Sequence, residues 1–169
     1  MVLTKEELIA ALKHEVHILV HLAGKVDKTQ LDYRPSPKQR SILELLQYMA
    51  IAGPIQVRVI QAGDFERSAM SAAWSPAEAA AKKMDFDQAV AAIAAQSAEY
   101  ERMLSGWSDD DFRANINMFG NVFSKGAMLI NLVLGAHAAY RMQLFLYLKA
   151  TGRDDLNTMN LWAGADGPA

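Results

Sequence analysis

The stretch from Gly126 to Leu148 is apolar over nearly its whole length, and it constrains the rest of the chain more than any other feature. A segment that long could span a bilayer. This one, however, carries Asn131, His137, Arg141 and Gln143, and an arginine at mid-membrane costs on the order of 3 kcal/mol. The stretch therefore reads as a helix buried among other helices, or with one face against a second subunit. The remainder of the sequence has to supply its partners.

It does so with segments of helical period. Thr4 can cap a first helix running to about Ala23, with Glu7 three residues on as the reciprocal partner. The apolar stripe of that helix is Leu8, Ile9, Leu12, Val16, Leu19, Val20 and Ala23. A linker from Gly24 to Arg40 contains Pro35 and Pro37, which forbid a continuous helix. Ser41 opens a second helix, again with a glutamate, Glu44, at the capping-box spacing, and Ile42, Leu45, Leu46 and Met49 form its stripe. Pro54, after Gly53, is expected to kink that helix or end it early. Residues 64–85 read as loop with a short helical piece. A third helix covers about Asp87 to Leu104, with Val90, Ile93, Ala94, Ser97 and Met103 as core contacts. Residues 112–123 suggest a small hairpin around Gly120. Ser124 caps a fourth helix that reaches about Thr151, where Gly152 stops it. The tail, Arg153 to Ala169, is expected to pack back through Leu161 and Trp162 and then fray.

Four such helices bury their stripes most simply as an all-α four-helix bundle. With 169 residues, the chain makes one domain (1–169, with its core in 4–152 and its tail in 153–169), large enough to bury roughly 70% of its unfolded surface. It has no cysteine, which removes disulfides, thiolate zinc sites, iron–sulfur clusters and cysteine nucleophiles. A formal charge of −2 argues against a nucleic-acid partner. Lys5, Glu6 and Glu7 fall where a secretory signal would place its apolar stretch. The expectation is a cytoplasmic protein with no membrane partner.

Three of the four histidines, His14, His17 and His21, lie on the first helix within about 60° of one another, away from its apolar stripe. His17 and His21, four residues apart, could reach one divalent ion. Without a carboxylate beside them they read instead as a solvated or subunit-facing stripe, the latter if Ile18 and Leu22 are exposed with them. His137 reads as a hydrogen-bonded core histidine, with Tyr140, Arg141 and Gln143 as polar neighbours that must be paired or line a cavity. No phosphate loop, dinucleotide fingerprint or nucleophile elbow is present. Asp109, Asp110 and Asp111 read as a solvated helix–loop junction.

Two stretches together resemble a known family. In DKTQLDYRPSPKQRSILELLQYMA (27–50), Leu31, Arg34, Pro35, Pro37, Ser41, Ile42, Glu44, Leu45 and Leu46 fit the pattern LxxRPxP…SIxELLxH. In GAHAAYRMQLFLYLKATG (135–152), Arg141, Gln143, Leu144, Tyr147, Leu148 and Gly152 fit HxxHHRGQLxxYLRxxG. This order is similar to the DinB-like (DinB/YfiT) superfamily of bacterial four-helix bundles. The resemblance implies a homodimeric bundle with a cavity open at one end. In many relatives one histidine from the second helix and two from the fourth hold nickel or zinc there, and some of those proteins are thiol-dependent S-transferases or isomerases. Here the three ligand positions fall on Tyr48, Ala136 and Tyr140, with His137 one residue off. Two phenols and a methyl do not rebuild a nitrogen triad. The expectation is a bundle without metal or other cofactor that binds a small molecule through Tyr48, His137, Tyr140, Arg141 and Gln143. The alternatives are a nickel- or zinc-dependent S-transferase or hydrolase with a site rearranged around His137, and a non-catalytic dimeric interaction protein.

Overall fold

The computed structural model describes residues 3–167. Its long helices are α1 (Lys5–Ala23), α2 (Ile42–Ala62), α3 (Arg67–Ala81) and α4 (Phe86–Leu104). A short helix α5 (Asp109–Arg113) leads into a two-stranded antiparallel hairpin, β1 (Asn115–Met118) and β2 (Asn121–Ser124), registered with Ile116 opposite Phe123. The expected fourth helix is three contiguous pieces: α6 (Lys125–Met128), a π-helical turn (Leu129–Leu134) and α7 (Gly135–Ala150). A short α8 (Thr158–Trp162) lies in the tail. Among the described residues no helix is long and apolar enough to cross a membrane.

The boundaries follow local chemistry. Both expected capping boxes form: Thr4 with Glu7, and Ser41 with Glu44. Asp85 with Gln88 makes a third, and the Ser124 hydroxyl accepts from the Ala127 amide. Gly63 and Gly152 take the left-handed conformation beyond α2 and α7. α4 packs against α1 and α2, and α7 packs against the same pair. α1 and α2 therefore face each other across one diagonal of the bundle, α4 and α7 across the other.

Several expectations are corrected. α2 does not stop at Pro54; it runs on to Ala62. Proline has no amide proton, so the carbonyl four residues earlier, that of Ala50, loses its helical partner. The Gln96 side chain supplies one: its Nε2 donates to Ala50 O at 3.1 Å and to Met49 O at 2.7 Å. Residues 64–85 are mostly helix rather than loop. α3 absorbs Pro76 and lies on α2, with Trp74 stacked on Tyr48 at 5.9 Å between ring centroids. On α4 the buried face is Ala89, Ile93, Gln96, Tyr100, Met103 and Leu104, while Ala94 is exposed and Val90 and Ser97 are half-buried. On α1, Ile18 and Leu22 are fully buried, so they do not extend an exposed histidine stripe. That stripe carries the tail. His14 Nε2 lies 3.0 Å from Trp162 O, His21 Nε2 lies 3.1 Å from Asn160 Nδ2, and Gly164 sits against the His17 ring. Leu156 and Leu161 are buried, and Asp166 pairs with Lys25 at 2.6 Å. The tail is docked through residue 167; the end of the expected fraying segment, 168–169, lies outside the described residues.

Candidate functional site

The polar groups at the bundle centre are arranged around one glycine. Gln96 uses its amide nitrogen on the two α2 carbonyls, so its Oε1 accepts from the Tyr100 hydroxyl at 3.0 Å. The Tyr100 oxygen in turn lies 2.5 Å from His137 Nε2. With the phenol proton committed to Gln96, His137 must donate, which assigns its proton to Nε2. This bond crosses the α4–α7 diagonal, and Gly53 on α2 leaves it room: a Cβ there would overlap the Tyr100 hydroxyl and lie 2.9 Å from His137 Nε2. Burial holds the His137 pKa down at about 4 and raises that of the Tyr100 phenol above its ordinary value. His137 is thus the neutral, bonded core histidine that its apolar surroundings suggest.

The five expected cavity residues do not share one cavity. Tyr48 and Tyr140 meet edge to face, 5.2 Å between centroids. Tyr140, Ala136 and His137 line one narrow slit against Met49, Gly53 and Gln56, but it holds only about 10 Å³, barely the space of one water. Arg141 points the other way, because successive helix positions diverge by about 100°. Its Nη1 lies 3.0 Å from Glu15 Oε1 on α1, and its guanidinium sits 4.6 Å from the centre of the Trp162 ring. Both partners are buried, with Arg141 at 4% and Glu15 at 9% of full exposure. Burial raises the Glu15 carboxyl pKa against the opposing pull of Arg141. Gln143 donates to the Tyr147 hydroxyl at 2.6 Å, which itself donates to Arg40 O at 3.2 Å. Gln143 and Tyr147 are therefore struts under the loop that precedes α2.

That loop builds one wall of the largest cleft near these residues, about 570 Å³ between residues 34–40, the first turns of α2 and the end of α3. The loop is tied down by Ile42 N to Tyr33 O (3.0 Å) and Leu43 N to Leu31 O (3.1 Å), and by Tyr33 packed edge-on to Tyr147. Arg34 bridges Glu44 at 3.2 Å. The Arg40 guanidinium lies over the Tyr48 ring, 4.0 Å from its centroid. Among the described residues Lys38, Arg40 and Lys82 have no carboxylate partner, and Glu78 is the cleft's one carboxylate outside an ion pair. Burial, and then the neighbouring Tyr140 phenol, push the Tyr48 pKa up. Sequence reasoning missed Arg40 and Lys82; α3, which brings Lys82 here, was not expected as a long helix.

The residues do not fit a nickel or zinc ion. At the positions of the histidine triad stand a phenol held protonated, a methyl and a second phenol. The nearby His137 has its Nε2 lone-pair position occupied by a proton given to Tyr100. Among the described residues no three His, Asp or Glu side chains are grouped to hold a metal, and His17 and His21 face the tail.

No family model matches the chain, and no curated protein matches it. Among solved structures it is similar to a DinB-like protein, YjoA, from Bacillus subtilis, with a TM-score of 0.66 and 17% sequence identity over 89% of this chain and 94% of that one. The chain has the DinB-like fold.

Proposed function

We propose that this protein is a metal-free binder of a small anionic molecule with a planar group, seated in the cleft floored by Tyr48. The observation that carries the reading is the Arg40 guanidinium held over the Tyr48 ring, in a cleft where, among the described residues, Lys38 and Lys82 make no ion pair and outnumber the one unpaired carboxylate, Glu78. A volume of about 570 Å³ falls within the roughly 300–1,000 Å³ of small-molecule sites. The arginine supplies a fork for a carboxylate or phosphate and, backed by the Tyr48 ring, its own outer face for the planar group. The reading assigns binding to the cleft and no catalytic step. Calorimetric titration with phenyl phosphate tests it. Saturable binding is expected to weaken at least about tenfold in Arg40→Ala, the loss of one charge-assisted contact, and to weaken in Tyr48→Ala, which removes the ring that holds the guanidinium. Benzyl alcohol binding as tightly as phenyl phosphate would contradict it.

A homodimer is a second reading, favoured by the outer face of α7, where Gly135, Ala139, Met142 and Leu146 are all exposed. The patch carries no charge, so two copies can meet about a two-fold axis. Sedimentation should show Leu146→Glu shifting a dimer to monomer; a wild-type monomer at high concentration would dismiss the reading.

A further inference from the structure

The two walls of the Tyr48 cleft differ in charge. On the loop wall the free charges are both cations, Lys38 and Arg40, because Arg34 is closed on Glu44 at 3.2 Å and on Gln39 O at 3.3 Å. The α3 wall carries Glu78 and, one turn on, Lys82. A glutamate four residues before a lysine is the order in which a helical ion pair closes best, yet among the described residues these two make none. Glu78 therefore stands without a counter-ion in a cleft that is otherwise cationic. Its charge reaches the floor. Burial and then Tyr140 raise the pKa of the Tyr48 phenol; beyond those two, Arg40 pulls it down and Glu78 pushes it up. One phenol thus feels both the loop's cation and the α3 anion, which puts the two within reach of a single small molecule. Gln47, at 7% of full exposure, lines the same cleft. Its Nε2 donates to Met84 O at 2.7 Å, so its carboxamide is fixed and keeps an oxygen to accept with. A simple anion uses the N–H donors of the loop, leaves these acceptors idle and is repelled by Glu78. A guest that also brings an ammonium group turns that repulsion into an ion pair.

We infer that the ligand of this cleft is a zwitterion, with a phosphate or carboxylate and a planar group on Arg40 and an ammonium group on Glu78. The inference rests on the anion reading of the same cleft and adds Glu78 as the residue that sets its specificity.

The test is calorimetry on the whole protein with 4-ethylphenyl phosphate and 4-(2-aminoethyl)phenyl phosphate, which share ring and phosphate. The cleft's surplus of cations would by itself favour the ethyl compound, whose net charge is more negative. The amine is nevertheless expected to bind about threefold more tightly, the worth of an exposed ion pair. In Glu78→Gln that preference should vanish, and in Glu78→Lys the order should invert. Glu78 is exposed, so both variants keep the fold. An amine that binds the wild type no better than the ethyl compound overturns the inference, and so does a preference that survives in Glu78→Gln. Either failure leaves the anion reading standing if the ethyl compound binds saturably and weakens in Arg40→Ala. If the ethyl compound does not bind in that way, the anion reading fails first and this inference falls with it.

Discussion

Gly53→Ala is the smallest change that tests the bundle's centre. A methyl at Gly53 would overlap the Tyr100 hydroxyl and come within 2.9 Å of His137 Nε2 and 3.1 Å of Tyr100 Cζ. Tyr100 is completely buried, and its hydroxyl is fixed from both sides by Gln96 and His137, so it has nowhere to retreat. Forcing an extra methyl into a filled core costs about 1–3 kcal/mol. Separating Tyr100 from His137 leaves a buried donor unpaired, for about 1–3 kcal/mol more. Alanine in place of glycine inside a helix returns about 1 kcal/mol. The net expectation is a loss of about 3 kcal/mol, a large part of the roughly 5–15 kcal/mol that holds a domain folded. At about 2–4 °C per kcal/mol for a chain of this length, the melting temperature should drop by about 6–12 °C.

Urea unfolding followed by far-ultraviolet circular dichroism measures this directly, as a lowered midpoint at unchanged slope. The control is the same substitution in a Tyr100→Phe background. Without the hydroxyl most of the clash is gone, so the two changes together should cost clearly less than their sum. A Gly53→Ala protein as stable as the wild type, or more stable by the helix-propensity gain, would refute the geometry drawn for Gly53, Tyr100 and His137.

Other consequences are open to the same kind of measurement. Glu15→Ala leaves Arg141 buried without its counter-ion and should cost about 3–5 kcal/mol, while Glu15→Leu with Arg141→Met should stay near wild type or exceed it; equal losses in both, by urea unfolding, would deny the pair's burial. His137 has a folded pKa of about 4 against an ordinary 6.5, so the unfolded chain takes up a proton that the folded one refuses. Stability is then complete above about pH 6.5 and falls by about 3 kcal/mol as the pH drops to 4. His21, lowered by burial and by Lys25, adds in the same direction, and Glu15, raised by burial, works against it. The slope specific to His137 is therefore read as the difference between wild type and His137→Gln, and identical pH profiles would contradict it. Restoring histidines by Tyr48→His, Ala136→His and Tyr140→His should create stoichiometric nickel or zinc binding, scored by elemental mass spectrometry; a folded triple variant that binds neither would show that these positions do not converge.

Capping boxes and apolar spacing made α1, α2 and α4 legible, and Gly120 marked the hairpin, because each of those signals acts within a few residues. What escaped depends on partners far along the chain. Pro54 looks like a stop until Gln96 is known to reach the carbonyls it strands, 46 and 47 residues away. A buried proline inside a helix does imply such a donor, and that signal could have directed attention to Gln96. α3 carries Met70, Ala73, Trp74, Ala77 and Ala81 at helical spacing, but the stripe is mostly alanine and is interrupted by Pro76, so it reads as helix only once Trp74 is seen on Tyr48. The histidine face of α1 looks solvent-exposed because the tail that covers it is encoded about 140 residues later. Arg141 and Gln143 were grouped with Tyr140 as polar neighbours in sequence, yet helical geometry sends the first to Glu15 and the second to Tyr147. Tyr48 and Tyr140 meet at 5.2 Å between ring centroids, and Arg40 lies over Tyr48 from a loop whose position the sequence pattern does not display.

The claim that this bundle binds an anion in its Tyr48 cleft without metal is tested most directly by one titration. Protein purified without chelator is titrated with phenyl phosphate before and after exhaustive treatment with EDTA. The same saturable affinity in both samples is expected, weakened alike by Arg40→Ala. Binding that disappears with EDTA and returns on adding nickel or zinc would contradict the account and place a metal where Tyr48 and Tyr140 stand.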